Sequence, residues 1–198
     1  MNYPGALAKL IDQLSKLPSV GPKTAERYAF YLLKQEQNKL EDLSTAIKEL
    51  KEKTIICQKC NSFAESSPCK LCQDSNRDKD VLCLVENTQD LVTIESTNQF
   101  RGQYFVLGGL INTIKEVGPE NLAIRKLLKI IESENIKEII IALNFNLEGE
   151  TTSLYLKHLL KDRIKLSRLA KGLPAGSDLE YADELTLTSA LKNRSELK

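Results

Sequence analysis

Apolar residues recur at helical intervals along the first part of the chain: Leu7, Leu10, Ile11, Leu14 and Leu17, then Ala25, Tyr28, Ala29, Leu32 and Leu33, then Leu40, Leu43, Ile47 and Leu50. Steps of three and four put each set on one face, so the pattern predicts three short amphipathic helices. Residues 57–72 break it. That segment is polar, dominated by cysteine pairs, and cannot build an apolar core alone. From Val81 onward short β-type runs alternate with helical patterns: "VLCLVE", a helix from Thr88, "QYFVLGG", a long helix after Pro119, "EIIIAL", and another helix from about Thr151. Such alternation predicts parallel βαβ units in an open α/β sheet, whose ligands sit at the carboxyl ends of the strands.

Composition adds exclusions. The 198 residues carry 28 Lys and Arg against 27 Asp and Glu, so no global basic field draws the chain to nucleic acid, and any polyanion contact must be a local patch. A 41% hydrophobic content is enough for a core. No apolar run approaches the roughly 18 to 20 residues that span a bilayer, and the opening "MNYPGALAKL" lacks the pattern of a secretory signal. The cytoplasm is therefore the expected location, with no membrane partner. Five cysteines in a reducing compartment point to metal, catalysis or burial rather than disulfides.

A local patch is found in "LPSVGPKTAERYAF". The turn "PSVGPK" ends the first apolar stripe; Gly21 offers backbone freedom, and Pro22 is preset for the first turn of a helix. Unpaired amides at that helix start, with the positive end of its dipole, favour a phosphate. Lys23, Arg27 and Lys34 fall within about 40° of one another at 100° per residue, opposite the apolar stripe. The alternative is an ordinary turn with a solvated charged face. The arrangement resembles a helix-hairpin-helix, a sequence-independent binder of DNA backbone, although Ser19 stands where that motif has its first glycine.

"CQKCNSFAESSPCKLC" places Cys57, Cys60, Cys69 and Cys72 as two C-x2-C knuckles. Two knuckles close a tetrahedron of thiolates around zinc and leave no open position for water, so one structural zinc per chain is expected. An iron–sulfur cluster is the alternative. Cys83, in an apolar strand, reads as a small core residue. His158, the sole histidine, has no evident Cys or Ser partner and reads as a packing or surface residue.

The order of these parts, together with "CLVENTQDL", "FRGQYFVLGGLI", "NLEGETTSLYL", "SRLAKGLPAGSDLEYADELTLTSAL" and the closing "KNR", resembles the RecR family of bacterial recombination mediators over essentially the whole chain. The resemblance implies an α/β protein in four segments: a helical helix-hairpin-helix domain at 1–53, a four-cysteine zinc module at 54–76, a Toprim-type open parallel sheet with helices at 77–166, and a C-terminal oligomerisation segment at 167–198. Toprim catalysis uses a glutamate after the first strand and an aspartate cluster after a later one, because Mg2+ needs charged oxygen ligands. Glu86 is in place, but Asn144 and Asn146 stand where carboxylates are expected. The expected scaffold is therefore non-catalytic, with Glu86, Asp90, Glu148 and Glu150 forming an acidic patch for a basic partner or residual Mg2+. A solvated rim is the plain alternative, and an active Mg2+-dependent nuclease or nucleotidyl transferase the rival.

The last segment aligns with a Walker B-like element through Gly172, Pro174, Gly176, Asp178, Glu180 and Tyr181, yet no phosphate loop of the form G-x-x-x-x-G-K-[ST] occurs, so ATP hydrolysis is not expected. The family resemblance implies a dimer or tetramer ring that binds double- and single-stranded DNA. It also implies action with RecO and RecF to load RecA on gapped DNA, associated with the nucleoid during repair. One small basic face repeated around a ring sums several phosphate contacts, which reconciles DNA binding with a near-neutral chain.

Overall fold

The computed structural model describes residues 3–161 and 163–196, and its backbone divides into two compact units, Met1–Thr54 and Ile55–Lys198. The first unit is helical, with α1 at Gly5–Ser15, α2 at Pro22–Leu33 and α3 at Gln37–Glu52. Helices α1 and α2 pack together, and Leu7 of α1 with Ala25 and Ala29 of α2 are the buried residues among those described in the unit. The small side chains on α2 let the two helices approach closely. The third helix is predicted as amphipathic, yet it buries no residue. Leu43, Ile47 and Leu50 remain 43%, 64% and 67% exposed, and Leu43 and Ile47 line an open apolar groove of about 530 Å³ with Leu10, Leu32, Leu33 and Leu40.

The turn between α1 and α2 corrects one expectation. Gly21 is extended, at φ −78° and ψ 169°, a conformation open to any residue. The left-handed residue is Ser19, at φ 64°, two positions earlier, where the helix-hairpin-helix motif has glycine. Holding a side-chain-bearing residue there costs on the order of 1–2 kcal/mol, borne by the packing of the two helices it joins.

The second unit begins with a short antiparallel pair, β1 at Ile55–Ile56 and β2 at Phe63–Ala64, followed by α4 at Lys70–Gln73. A four-stranded sheet then forms from β3 at Asp78–Val85, β4 at Gly102–Val106, β5 at Glu138–Ala142 and β6 at Lys165–Arg168. All its pairings are parallel, in the order β4-β3-β5-β6. The helices α5 at Thr88–Ser96, α6 at Ile124–Ser133 and α7 at Leu147–Leu160 connect the strands, and α8 at Glu184–Lys192 follows the sheet.

Strand alternation sorts the core into two layers. Leu82 and Leu84 of β3 join Phe105, Ile139 and Ile141 beneath Leu127 of α6 and Leu156 and Leu160 of α7. Cys83 and Val85 face the other way, with Tyr104, Val106 and Ala142 against Leu91 of α5. Cys83 is buried and its thiol is pushed up to about 12 by desolvation, as befits a core residue rather than a nucleophile. β6 has no apolar run and escaped the sequence pattern. It is an edge strand whose Lys165 pairs with Glu138 of β5 at 2.7 Å, a charged rim of the kind that discourages further strand addition.

Candidate nucleic-acid face, metal centre and acidic cleft

In the first unit Lys23, Arg27 and Lys34 are all exposed. Lys23 and Arg27 lie one turn apart on α2, and Lys34, its C-cap, keeps helical backbone and so stays on the same face. No side chain caps the start of α2 at Gly21. The first-turn amides of Lys23 and Thr24 therefore face outward beside the lysine, as an anion site requires. Lys23 touches Glu26 at 3.2 Å but its side chain is 95% exposed, and Arg27 stacks over the Tyr28 ring at 5.6 Å. Neither contact withdraws the charge from solvent.

In the second unit the four cysteine sulfurs lie within 4.8 Å of one another, and among the described residues they form the sole cluster of three or more Cys, His, Asp or Glu placed to hold an ion. Cys57 Sγ lies 3.9 Å from Cys72 Sγ and Cys60 Sγ 3.6 Å from Cys69 Sγ. A tetrahedron with metal–sulfur bonds of about 2.3 Å has sulfur–sulfur edges of about 3.8 Å, so the spacing fits a four-coordinate metal. The chemistry fits too. Contact with Cys72 and with Ser62 draws the Cys60 thiol down, while that same contact pushes Cys72 up and burial pushes Cys69 up. Four thiolates cannot coexist here unless a cation compensates them. The Cys69 amide donates to Cys57 Sγ at 3.4 Å, orienting that ligand.

The four acidic residues do not form one patch. Glu86, just past β3, and Glu148, in the first turn of α7, line a cleft of about 360 Å³ with Gly108, Gly109, Asn112, Lys115 and Asn146. Glu150 faces away. It accepts from Arg168 at 2.9 and 3.1 Å and from Lys171 at 2.7 Å, and Arg168 first, then Lys171, hold its carboxyl down to about 2. The same two cations stack on the Phe145 ring at 4.7 and 4.5 Å. Asp90 sits in the first turn of α5, where its amide donates to the Asn87 cap at 2.9 Å, and it does not line the cleft. The expected four-carboxylate patch is thus reduced to Glu86 and Glu148.

The asparagines are occupied. Asn146 is the N-cap of α7 and accepts from the Gly149 amide at 2.8 Å; Asn144 donates to Glu86 at 3.3 Å, and Asn112 to Glu148 at 3.2 Å. The helix predicted from about Thr151 starts at Leu147, because this cap and the acidic first turn favour an earlier start. An Asn followed by acids at the second and fourth helical positions was the sequence signal for it. Gly149 permits the arrangement: a β-carbon there would lie 1.9 Å from the Asn144 carbonyl oxygen. Gly149→Ala is expected to lower stability by about 1–3 kcal/mol, measured as a shifted midpoint in urea unfolding.

Of the Walker B-like positions, Gly172, Pro174, Gly176, Asp178, Glu180 and Tyr181 are all exposed, and Gly176 supplies a turn at φ 80°. Leu179, Tyr181, Leu185 and Leu191 expose 65%, 81%, 80% and 68% of their surface. His158 is on the exposed face of α7. No helix of the described residues is long and apolar enough to cross a membrane.

Comparison with known proteins assigns names to these parts. Residues 7–51 match the family described as RecR, helix-hairpin-helix; residues 80–170 match the Toprim domain; residues 172–195 match RecR, C-terminal. The chain is 50% identical to the recombination protein RecR of Bifidobacterium longum subsp. infantis over 98% of both chains. It is 48% identical to that of Moorella thermoacetica over 100% of both. With the RecR protein of Rippkaea orientalis it shares 44% identity over 98% of this chain and 99% of the other.

Proposed function

The chain belongs to the RecR family, and on that premise we propose that it is a non-catalytic DNA-binding mediator of recombinational repair. In this reading it closes as a dimer or tetramer ring on double- and single-stranded DNA. It works in the bacterial cytoplasm, at the nucleoid during repair, with RecO and RecF to load RecA on gapped DNA. The observation that carries it is the exposed Lys23, Arg27 and Lys34 face beside the uncapped amides of α2, in a chain of net charge +1. A site that small binds usefully only when repeated, so avidity is the mechanism. Two exposed apolar surfaces support self-association: the α3 face at Leu43, Ile47 and Leu50, and the C-terminal residues Leu179, Tyr181, Leu185 and Leu191.

The four thiolates hold one zinc, which supplies folding energy to a segment with little apolar core. Glu86 and Glu148 share the cleft, which keeps a Mg2+-dependent nuclease or transferase as the second reading. Against it stand Asn144 and Asn146, whose amides are committed to Glu86 and to the α7 cap and which bring no negative charge to a hard cation. Residual Mg2+ binding or docking of a basic partner suits the remaining carboxylate pair.

One experiment separates the readings. Sedimentation of the chain with gapped DNA in Mg2+ should give a multimer that carries the DNA, and the recovered DNA should be intact. A monomer that binds tightly, or cut DNA whose cleavage disappears in Glu86→Gln, overturns the proposal.

A further inference from the structure

The metal module is joined to the sheet by two side chains that neither ligate the metal nor line the cleft. Asn61, immediately after Cys60, turns the first knuckle in the left-handed region at φ 64°. Its side-chain amide donates to the Val106 carbonyl at 2.9 Å, and the Val106 amide donates to the Cys60 carbonyl at 2.8 Å. From α6, Lys126 Nζ donates to the Cys57 carbonyl at 3.1 Å and to Asn61 Oδ1 at 3.3 Å. Among the described residues no carboxylate pairs with this half-buried ammonium, whereas neighbouring Lys59 is paired with Glu134 at 3.0 Å. An unpaired, partly desolvated cation calls for a counter-charge. Four thiolates around a divalent metal leave two negative charges over, and Lys126 is anchored to the carbonyl of one of the four ligands.

We propose that Lys126 and Asn61 form an outer layer of the metal site: Lys126 supplies counter-charge to the four-thiolate complex, and Asn61 couples metal occupancy to the loop that lines the acidic cleft. The coupling path is short. Val106 ends β4, and two residues on Gly108 donates its amide to the Glu86 carbonyl at 2.9 Å. Asn61 Nδ2 lies 3.8 Å from where a Gly108 β-carbon would be. A knuckle that loosens without metal therefore releases the β4 end and the Gly108 contact at the base of the cleft. On the far side of the same loop, the Ile111 amide is held by Thr152 of α7 at 2.9 Å, outside the path.

The inference rests on the zinc reading of the cysteines and is tested on the full-length chain. Zinc affinity is measured by competition with a chromophoric chelator for wild type, Lys126→Met, Lys126→Arg and Asn61→Gly. Lys126→Met is expected to bind zinc about 10–100-fold more weakly, with Lys126→Arg restored to near wild type because it keeps the charge. Asn61→Gly preserves the left-handed turn and serves as the second variant if Lys126→Met does not fold; it too should bind zinc more weakly. Hydrogen exchange before and after zinc removal from wild type should show faster exchange at Val106 and Gly108 and no change at Ile111. Wild-type affinity in both Lys126→Met and Asn61→Gly overturns the outer-layer role while leaving the zinc site standing. Unchanged exchange at Val106 and Gly108 overturns the coupling. A wild-type chain that takes up no zinc overturns both this inference and the zinc reading.

Discussion

Replacing Lys23 and Arg27 together by alanine should weaken DNA binding on the order of 50-fold at 0.1 M salt for each protomer engaged on the DNA, and flatten its salt dependence. Each lost phosphate contact removes about 0.9 from the log–log slope on duplex DNA and about 0.7 on single strands, so two contacts on one engaged protomer remove about 1.8 or 1.4. Folding should be untouched. Lys23 is 95% exposed, and its contact with Glu26 is of the surface type that contributes about 0–1 kcal/mol. Glu26 also keeps its hydrogen bond from Tyr3. Affinity measured across a salt series distinguishes the outcomes: a weaker complex with the original slope would mean that the pair shapes the turn rather than meeting phosphates.

The second large effect concerns the metal. Cys57→Ala, or exhaustive chelation, is expected to take metal content from about one zinc per chain to none and to unfold the knuckles at residues 57–72. Zinc binding supplies about 10–16 kcal/mol in small finger peptides near neutral pH, as much as the entire stability of a typical domain at about 5–15 kcal/mol. The segment has little to replace it, since its buried cluster is Cys57, Cys60 and Cys69 with Ala64, Leu71 and Cys72 against them. Elemental analysis alongside thermal unfolding checks the expectation. A Cys57→Ala protein with full metal content and an unchanged midpoint would show the thiolates to be idle.

How much of this was readable beforehand depended on sequence separation. The helices of the first unit, the paired cysteines and the strands β3, β4 and β5 follow from local runs and spacings of two, three and four residues, and such local periodicity survives folding. The acidic residues did not behave as their proximity in sequence suggested. Glu148 and Glu150 are two apart, but one faces the cleft and the other is claimed by Arg168 and Lys171, eighteen and twenty-one residues away. Likewise Lys126 meets the carbonyl of Cys57 across 69 positions, a distance at which no local pattern predicts a partner. Ser19 is a different kind of miss. Its motif position is recognisable, yet glycine is the default bearer of left-handed geometry and points to Gly21; only the backbone shows that Ser19 bears it.

The capping role of Asn146 bears on how far this cleft stands from metal chemistry. Asparagine and aspartate are nearly equal helix caps, and the Gly149 amide that Asn146 accepts would be accepted by a carboxylate as well. Architecture therefore does not forbid an acid at that position; exchanging one amide nitrogen for oxygen would leave α7 where it is. What an acid there would add to Glu86 and Glu148 is electrical, negative charge on a frame already shaped to carry it.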